Sequence, residues 1–385
     1  EKRIRSNCQR LQKAFQPLFA GFTPLYAIKA NPNWHVLKII QSEGFGFDCS
    51  SPLELYLANQ LEAFGMYTGN YTPEAEFRQV LESPLVLLNL DDISMIPTVQ
   101  TIKMPEFISF RINPGITAGG MKSLLFAGPD AKYGVPHEQA IEAYRQARQA
   151  GATRFGIHMM TGSNVLQEEY FALVTSKLLQ IAGQVKQALG LDFEYINIGG
   201  VFGVPYQPQE PSLNLEKIAT NLREVFDREC QKWHLAEPKL MIEPGRYLMA
   251  DAGFLVTQVQ VIKQSYTKFA GVDAGMNDLP RPAIYDAYHH ISVLSKSNSS
   301  ATEKINIVGR LCENNDQFAK HRTLPVLSVG DRLVIHNASA HSYAMGHNYN
   351  GRPRSAEYIL RPFDQLQQIR RAETIQDLLA TITDF

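Results

Sequence analysis

The 385-residue sequence has no uncharged apolar run long enough to cross a membrane, so no transmembrane helix is expected. It has almost no net charge, −1, which implies neither a nucleic acid nor an anionic membrane surface as partner. Cysteine is scarce: Cys8, Cys49, Cys230 and Cys312 are scattered, with no CxxC pair and no Cys/His cluster of zinc-ligand spacing. Neither a metal site nor a disulfide framework is expected, and a reducing cytoplasm is the simplest compartment. The charged start, Glu1 to Arg5, has no apolar segment after it, so no signal peptide is read there. A starting Met is also absent, which leaves room for residues upstream of Glu1.

What is present is an ordinary apolar fraction of 44%, enough for a large core, in a chain long enough for two domains. Short apolar runs at 25–28, 45–49, 66–69, 85–88, 107–112, 155–158, 195–198 and 239–242 read as strands. Helical spacing falls between them, at 34–41, from Ser51-Pro52 onward with Leu53, Leu57 and Leu61 on one face, and at 73–81, 137–150, 168–189 and 215–233. Residues 91–100 give a poor helix, broken by Pro97, and a Gly-rich loop follows 107–112. Eight alternations within about 220 residues predict a closed (β/α)8 barrel over residues 1–250. A doubly wound open sheet is the rival, but no Gly-rich fingerprint follows its first strand. From about Gly253 the character changes. Strands at 254–262, 305–308, 332–336 and 357–360, with a closing helix at 374–381, predict a β domain over 251–385.

In such a barrel the active site lies at the carboxyl ends of the strands. Lys29 stands there, between the apolar run Leu25 to Ile28 and the turn signal Asn31-Pro32. Desolvation lowers a lysine's pKa and frees the amine for a Schiff base; the plain alternative is a lysine that snorkels to water. Asp48, His158, Gly199-Gly200 and Glu243 fall at other strand ends. Two adjacent glycine turns, Gly199-Gly200 and Pro244-Gly245-Arg246, suit a phosphate after barrel strands seven and eight. A carboxylate at Glu243 could keep a pyridine nitrogen protonated. Together with Lys29 this points to pyridoxal 5'-phosphate, the electron sink of carbanion chemistry. An ordinary Glu–Arg surface pair with two plain turns is the alternative.

Five motifs add specificity: Tyr26-Ala27-Ile28-Lys29-Ala30-Asn31, Ile242-Glu243-Pro244-Gly245-Arg246, Arg281-Pro282-Ala283-Ile284-Tyr285, Cys312-Glu313-Asn314-Asn315-Asp316 and Asn348-Tyr349-Asn350-Gly351-Arg352-Pro353. With them the sequence resembles the fold-type III pyridoxal-phosphate decarboxylases over nearly its whole length. The resemblance implies an alanine-racemase-like barrel plus β domain, a cytoplasmic homodimer, and active sites shared between subunits. It implies that Lys29 forms the Schiff base with Asp48 nearby. Ser163, Gly199, Gly200 and the backbone of Gly245 and Arg246 would hold the phosphate, and Glu243 would face the pyridine nitrogen. Arg246, Arg281 and Tyr285 would bind a distal carboxylate of the substrate, and Glu313 its distal amino group. Cys312, from the other subunit, would be the catalytic proton donor. The family's strand before the barrel is not seen at this N-terminus.

Three positions depart from the family pattern. Its cofactor-facing histidine is Met160 here; His158 lies two residues earlier and reads equally as structural. The third glycine of the phosphate turn is Val201. The family's Gly-Ala-Tyr reads Ser339-Ala340-His341, with Tyr343 shifted by two. Met160 and His341 therefore stand as candidate cofactor contacts. The implied activity is decarboxylation of an amino acid, foremost meso-diaminopimelate to L-lysine. A decarboxylase of a related or conjugated amino acid is the alternative within the class. Outside it stand a racemase, which would need a tyrosine opposite Lys29, and a cofactor-binding pseudoenzyme.

Overall fold

The structure, a computed structural model, describes residues 1–115, 126–294, 296 and 301–383. The chain forms strands β1 (Thr23–Ala27), β2 (Gly46–Cys49), β3 (Gly65–Tyr67), β4 (Val86–Leu90), β5 (Phe107–Asn113), the two-residue β6 (Val135–Pro136), β7 (Arg154–His158), β8 (Tyr195–Asn197) and β9 (Lys239–Ile242). All pair in parallel, and β1–β9 with β4–β5 close eight of them into a barrel, β6 adding to β5. The expected closed barrel is what the chain forms. Part of the Gly-rich loop after β5 lies outside the described residues.

The long outer helices Glu168–Leu189 and Leu215–Trp233 begin and end where the apolar spacing predicts. Asn214 caps the second by accepting the Lys217 N–H, and Gly190 ends the first in the left-handed conformation (φ 69°). Three expectations need correction. The helix Pro52–Gln60 buries Glu54, Leu55 and Ala58; of the expected apolar face Leu57 and Leu61 pack against the core, but Leu53 is 60% exposed. Pro97 does not break its helix but lies in the first turn of Ile96–Ile102, where no intrahelical N–H is lost. A helix not expected from the charged N-terminus, Lys2–Phe15, buries Ile4, Cys8, Leu11 and Phe15 at spacings of four, three and four. It packs against Trp34–Ser42 and Leu215–Trp233 and fills the ring where β9 is followed by the short helix Gly245–Met249.

Side chains alternate across each strand, so every second residue points into the barrel. Near the amino ends these inward residues are apolar: Leu25, Met66, Tyr195 and Met241 form one cluster. Gly156 makes room for it, since a Cβ there would collide with the Tyr195 ring. Two residues further along, the inward positions become Asp48, Asn89, Arg111, His158, Asn197 and Glu243, all buried. The barrel thus changes from oil to polar network along its own axis.

The remaining strands are β10 (Leu255–Gln264), β11 (Lys268–Val272), β12 (Ile291–Val293), β13 (Thr302–Val308), β14 (Gln317–Pro325), β15 (Arg332–Ile335), β16 (Glu357–Leu360) and β17 (Leu366–Arg370). The first six form one sheet in the order β12-β15-β10-β11-β13-β14, and the last two a separate hairpin. The sheet has its own core, including Val259, Ile307, Phe318, Leu333 and Ile335. Asn33 ties the hairpin to the barrel through its amide, which donates to Glu357 Oε2 (3.0 Å) and the Ile369 carbonyl (3.4 Å). Among the described residues no helix is long and apolar enough to cross a membrane.

Candidate active site

The polar layer is a continuous network. The Asn89 amide donates to Thr68 Oγ1 (3.0 Å) and faces His158 Nδ1 (3.2 Å). His158 Nε2 lies 3.3 Å from Glu243 Oε1, which also accepts from Asn197 Nδ2 (2.8 Å). With Nδ1 accepting from an amide, the imidazole proton belongs on Nε2, facing the carboxylate. Burial works against a charge on Glu243, but His158, Lys29 and Asn197 outweigh it and hold the group down at about 2. Asn197 was not singled out from the sequence, yet its Oδ1 also accepts the Gly199 N–H (2.9 Å). One side chain therefore fixes both the carboxylate and the glycine turn. The only sequence signal for it is a polar residue at an inward position.

Lys29 lies two residues beyond β1, in the 3-10 turn Ile28–Ala30. Its side chain is about half exposed (49%), and its amine sits 3.1 Å from Asp48 Oδ2, which is buried (2%). The expected depression of its pKa is reversed. Burial does push the amine down, but Asp48, Glu243 and Glu54 surround it with negative charge and raise it above an ordinary lysine. Burial and the Glu243 charge in turn raise Asp48, against the pull of Lys29. Glu54, a buried carboxylate that accepts the Ser50 N–H (2.6 Å), is pushed up to about 7, chiefly by burial.

At the turn after β8, Gly199 has φ 74°, and a Cβ on Gly200 would collide with the Glu243 carbonyl oxygen. Both positions need glycine for stated reasons. Met160 lies against this turn, its sulfur 3.2 Å from the Gly200 nitrogen. Gly245 is held between Ala27 and Ala30, where a Cβ would stand 3.0 and 3.1 Å from theirs. Arg246 donates from Nε and Nη2 to Ser163 Oγ (both 3.3 Å) and from Nη1 to Tyr206 OH (2.8 Å).

Arg281 opens the short helix Arg281–Tyr285 and is 1% exposed, the largest fully buried side chain among the described residues. It is not a surface-loop residue. Its guanidinium lies 4.6 Å from the Tyr206 ring centroid, and Nη1 donates to His289 Nε2 (2.9 Å). Burial, helped by the charge of Arg246, pulls Arg281 down to about 10, so it stays cationic near neutrality. Tyr285 is among its electrostatic neighbours. His341 has φ 57°, and its N–H donates to the Ala30 carbonyl (2.8 Å). Burial and the charges of Arg246, Arg281 and Lys29 keep its imidazole well below the usual histidine range, hence neutral. Tyr206 and His289 became visible through tertiary neighbours; the sequence shows them as a loop tyrosine and one of a His pair.

Cys312 and Glu313 lie elsewhere, on the exposed turn between β13 and β14. Asp316 shapes this turn, accepting the N–H groups of Leu311 (2.8 Å) and Met276 (2.6 Å). The Cys312 N–H donates to Asn350 Oδ1 (2.6 Å), joining two of the sequence motifs. Glu313 Oε1 accepts the Asn315 N–H (3.0 Å).

These residues fit pyridoxal phosphate. A lysine amine paired with a buried aspartate stands just past β1, a carboxylate held charged follows the neighbouring β9, and Gly199-Gly200 is a cradle that a Cβ would fill. Ser163 and Arg246 bring a hydroxyl and a cation together. Among the described residues no group of three or more His, Cys, Asp or Glu is arranged to hold a metal ion.

Residues 1–250 match the family model described as pyridoxal-dependent decarboxylase, pyridoxal binding domain. The chain is 41% identical over 385 residues to a diaminopimelate decarboxylase of Methanothermobacter thermautotrophicus, covering 98% of this chain and 89% of that protein. It is 36% identical over 381 residues to Protein TabA of Pseudomonas amygdali pv. tabaci, covering 98% and 88%. In structure it is similar to diaminopimelate decarboxylase from M. jannaschii in complex with L-lysine, with TM-score 0.90, 29% identity and coverage of 99% of this chain and 90% of that one.

Proposed function

The chain belongs to the pyridoxal-dependent decarboxylases, and we propose that it decarboxylates meso-diaminopimelate to L-lysine. The observation that carries this substrate is Arg281. Its strongest electrostatic neighbours are Tyr206, Arg246 and Tyr285, none of them a carboxylate, so a buried cation is kept for an anionic ligand. A substrate with a second carboxylate supplies one, and a diamine-forming substrate does not.

The cofactor, when bound, supplies an electron sink for the carbon that loses carbon dioxide. Lys29 would attach it, with Asp48 orienting the amine. Ser163, Gly199, Gly200, Gly245 and Arg246 would hold its phosphate, with Met160 and His341 beside them. Glu243, held charged by His158 and Asn197, would keep the pyridine nitrogen protonated. Arg281, Arg246 and Tyr285 would bind the distal carboxylate through charge-assisted hydrogen bonds, and Glu313 the distal amino group. Cys312 Sγ would return a proton to the decarboxylated carbon.

Glu313 and Cys312 are exposed on their turn, which supports a homodimer in which each β domain, residues 251–385, completes the site on the other subunit's barrel, residues 1–250. Four free cysteines agree with a cytoplasmic location. Carbon dioxide release from a panel of meso-diaminopimelate, lysine, ornithine, arginine and carboxynorspermidine tests the assignment; a preference for lysine or ornithine sinks it. Met160 and His341, which depart from the family pattern beside the cofactor, favour a related or conjugated amino acid as the second reading.

A further inference from the structure

We propose that Tyr206 is a positioning residue that sets both buried arginines, its hydroxyl fixing Arg246 and its ring fixing Arg281. The inference rests on the reading above, in which Arg246 serves the cofactor's phosphate and shares the distal carboxylate with Arg281.

Two guanidinium groups in one buried pocket repel each other, and each needs an anchor. Carboxylate anchors would hold them well but would neutralise the charge that the ligands need. Tyr206 solves this with a neutral group. Its hydroxyl accepts from Arg246 Nη1 at 2.8 Å. The Arg281 guanidinium stacks on its ring, 4.6 Å from the centroid, an attraction to the π face that leaves the full positive charge outward. His289 completes the arrangement and is neutral too. It packs edge-on against the Tyr206 ring at 5.1 Å, donates from Nδ1 to the His336 carbonyl (2.8 Å) and offers the Nε2 lone pair to Arg281. Burial and the Arg281 charge hold His289 down to about 3, so it does not add a third cation.

The Tyr206 backbone is pinned independently of its side chain. Its N–H donates to Glu210 Oε2 (2.8 Å), and the preceding Pro205 carbonyl accepts from Asn337 Nδ2 (2.8 Å) across to the β domain. One ring thus links Arg246, in the short helix after β9, to the β-domain helix carrying Arg281.

The two halves separate by substitution. Tyr206→Phe keeps the ring and removes the hydroxyl. In the holoenzyme it should raise the cofactor dissociation constant, read by absorbance titration, roughly tenfold, and, because Arg246 also serves the distal carboxylate, raise KM for meso-diaminopimelate at saturating cofactor by no more than about threefold. Tyr206→Leu removes both and should in addition raise that KM roughly tenfold. It should also expose Arg281 to faster labelling by phenylglyoxal, mapped by peptide. Unchanged cofactor affinity in the phenylalanine variant overturns the proposal, and so does a leucine variant whose KM and Arg281 labelling match it. If the leucine chain precipitates, the phenylalanine variant decides alone: the proposal stands only if cofactor affinity falls roughly tenfold while KM rises by no more than about threefold. If wild type does not turn over meso-diaminopimelate, the substrate reading fails, and the cofactor titration with the labelling still judges the clamp.

Discussion

The carboxyl end of the barrel and the Cys312 turn are built in opposite ways. In the barrel, Asn89, His158, Asn197 and Glu243 are buried, and their partners within the chain lie at 2.8–3.3 Å. A buried polar group without a partner costs about 1–3 kcal/mol, so such a layer holds together as a set. At the turn, the backbone is just as firmly defined by Asp316 and Asn350, while Cys312 and Glu313 stand exposed. The first region is preorganised by its own chain. The second has a fixed backbone that leaves the Cys312 and Glu313 side chains open to solvent. The difference teaches that two motifs of one signature can be equally well fixed in backbone while only one of them has its side chains already engaged.

The comparison can be broken most forcefully at Lys29. If the barrel half carries the cofactor, Lys29→Ala should lower turnover by about a thousandfold or more, and borohydride should fix the cofactor on the Lys29 peptide of wild type. A labelled peptide elsewhere removes the barrel half from the chemistry. Next is Arg281→Ala, which keeps the polar layer and removes the buried cation. A charged hydrogen bond to a carboxylate contributes about 1.5–3 kcal/mol, so a loss of roughly a hundredfold in kcat/KM for meso-diaminopimelate is expected, with the cofactor absorbance unchanged. An equal loss on lysine would show that Arg281 does not read the distal carboxylate.

A third experiment joins the two regions. Lys29→Ala and Cys312→Ala chains are each expected to be inactive. If the halves of the site come from different subunits, exchange should return about a quarter of wild-type activity, since about half the dimers are mixed and each has one intact site. No recovery after demonstrated exchange means that one chain brings Cys312 to its own Lys29.

What could be read from the sequence follows the same divide. The helices Glu168–Leu189 and Leu215–Trp233 were legible to the residue because a long apolar repeat with end signals has one solution. The barrel's polar layer was half legible. Glu243 carries a motif, but Asn197 matters through what it touches, and no local pattern encodes that. In the β domain, β14 was not read because Lys320, His321 and Arg322 interrupt its alternation, with His321 at φ 49°. Strands β11, β12 and β17 were missed as well; β12 spans three residues and β17 carries Gln367, Gln368 and Arg370. The strand-end position of Lys29 is legible in the sequence, but the carboxylates around its amine are not. Desolvation is a property of the strand end, whereas the three carboxylates that reverse it come from other segments of the chain.

The smallest expected effect concerns one of those carboxylates and separates the two regions by pH. Glu54 is buried and carries a pKa pushed from 4.5 up to about 7, mainly by burial. Between these values the native chain holds a proton that the unfolded chain has released, so stability falls as pH rises. Below about pH 4.5 both states are protonated and no penalty exists; above about pH 7 both are ionised and the penalty is complete. The shift corresponds to an upper figure of about 3 kcal/mol, reduced by the attraction that Glu54 and Lys29 lose together. Glu54→Gln keeps an oxygen for the Ser50 N–H and removes the charge. It should raise Tm by a few degrees at pH 8 and by much less at pH 5. Glu313→Gln, on the exposed turn, should leave Tm unchanged at both. A Glu54→Gln chain that is destabilised at pH 8 would mean that the charge on Glu54 is needed beside Lys29, and that the barrel end is organised by its amine rather than burdened by its third carboxylate.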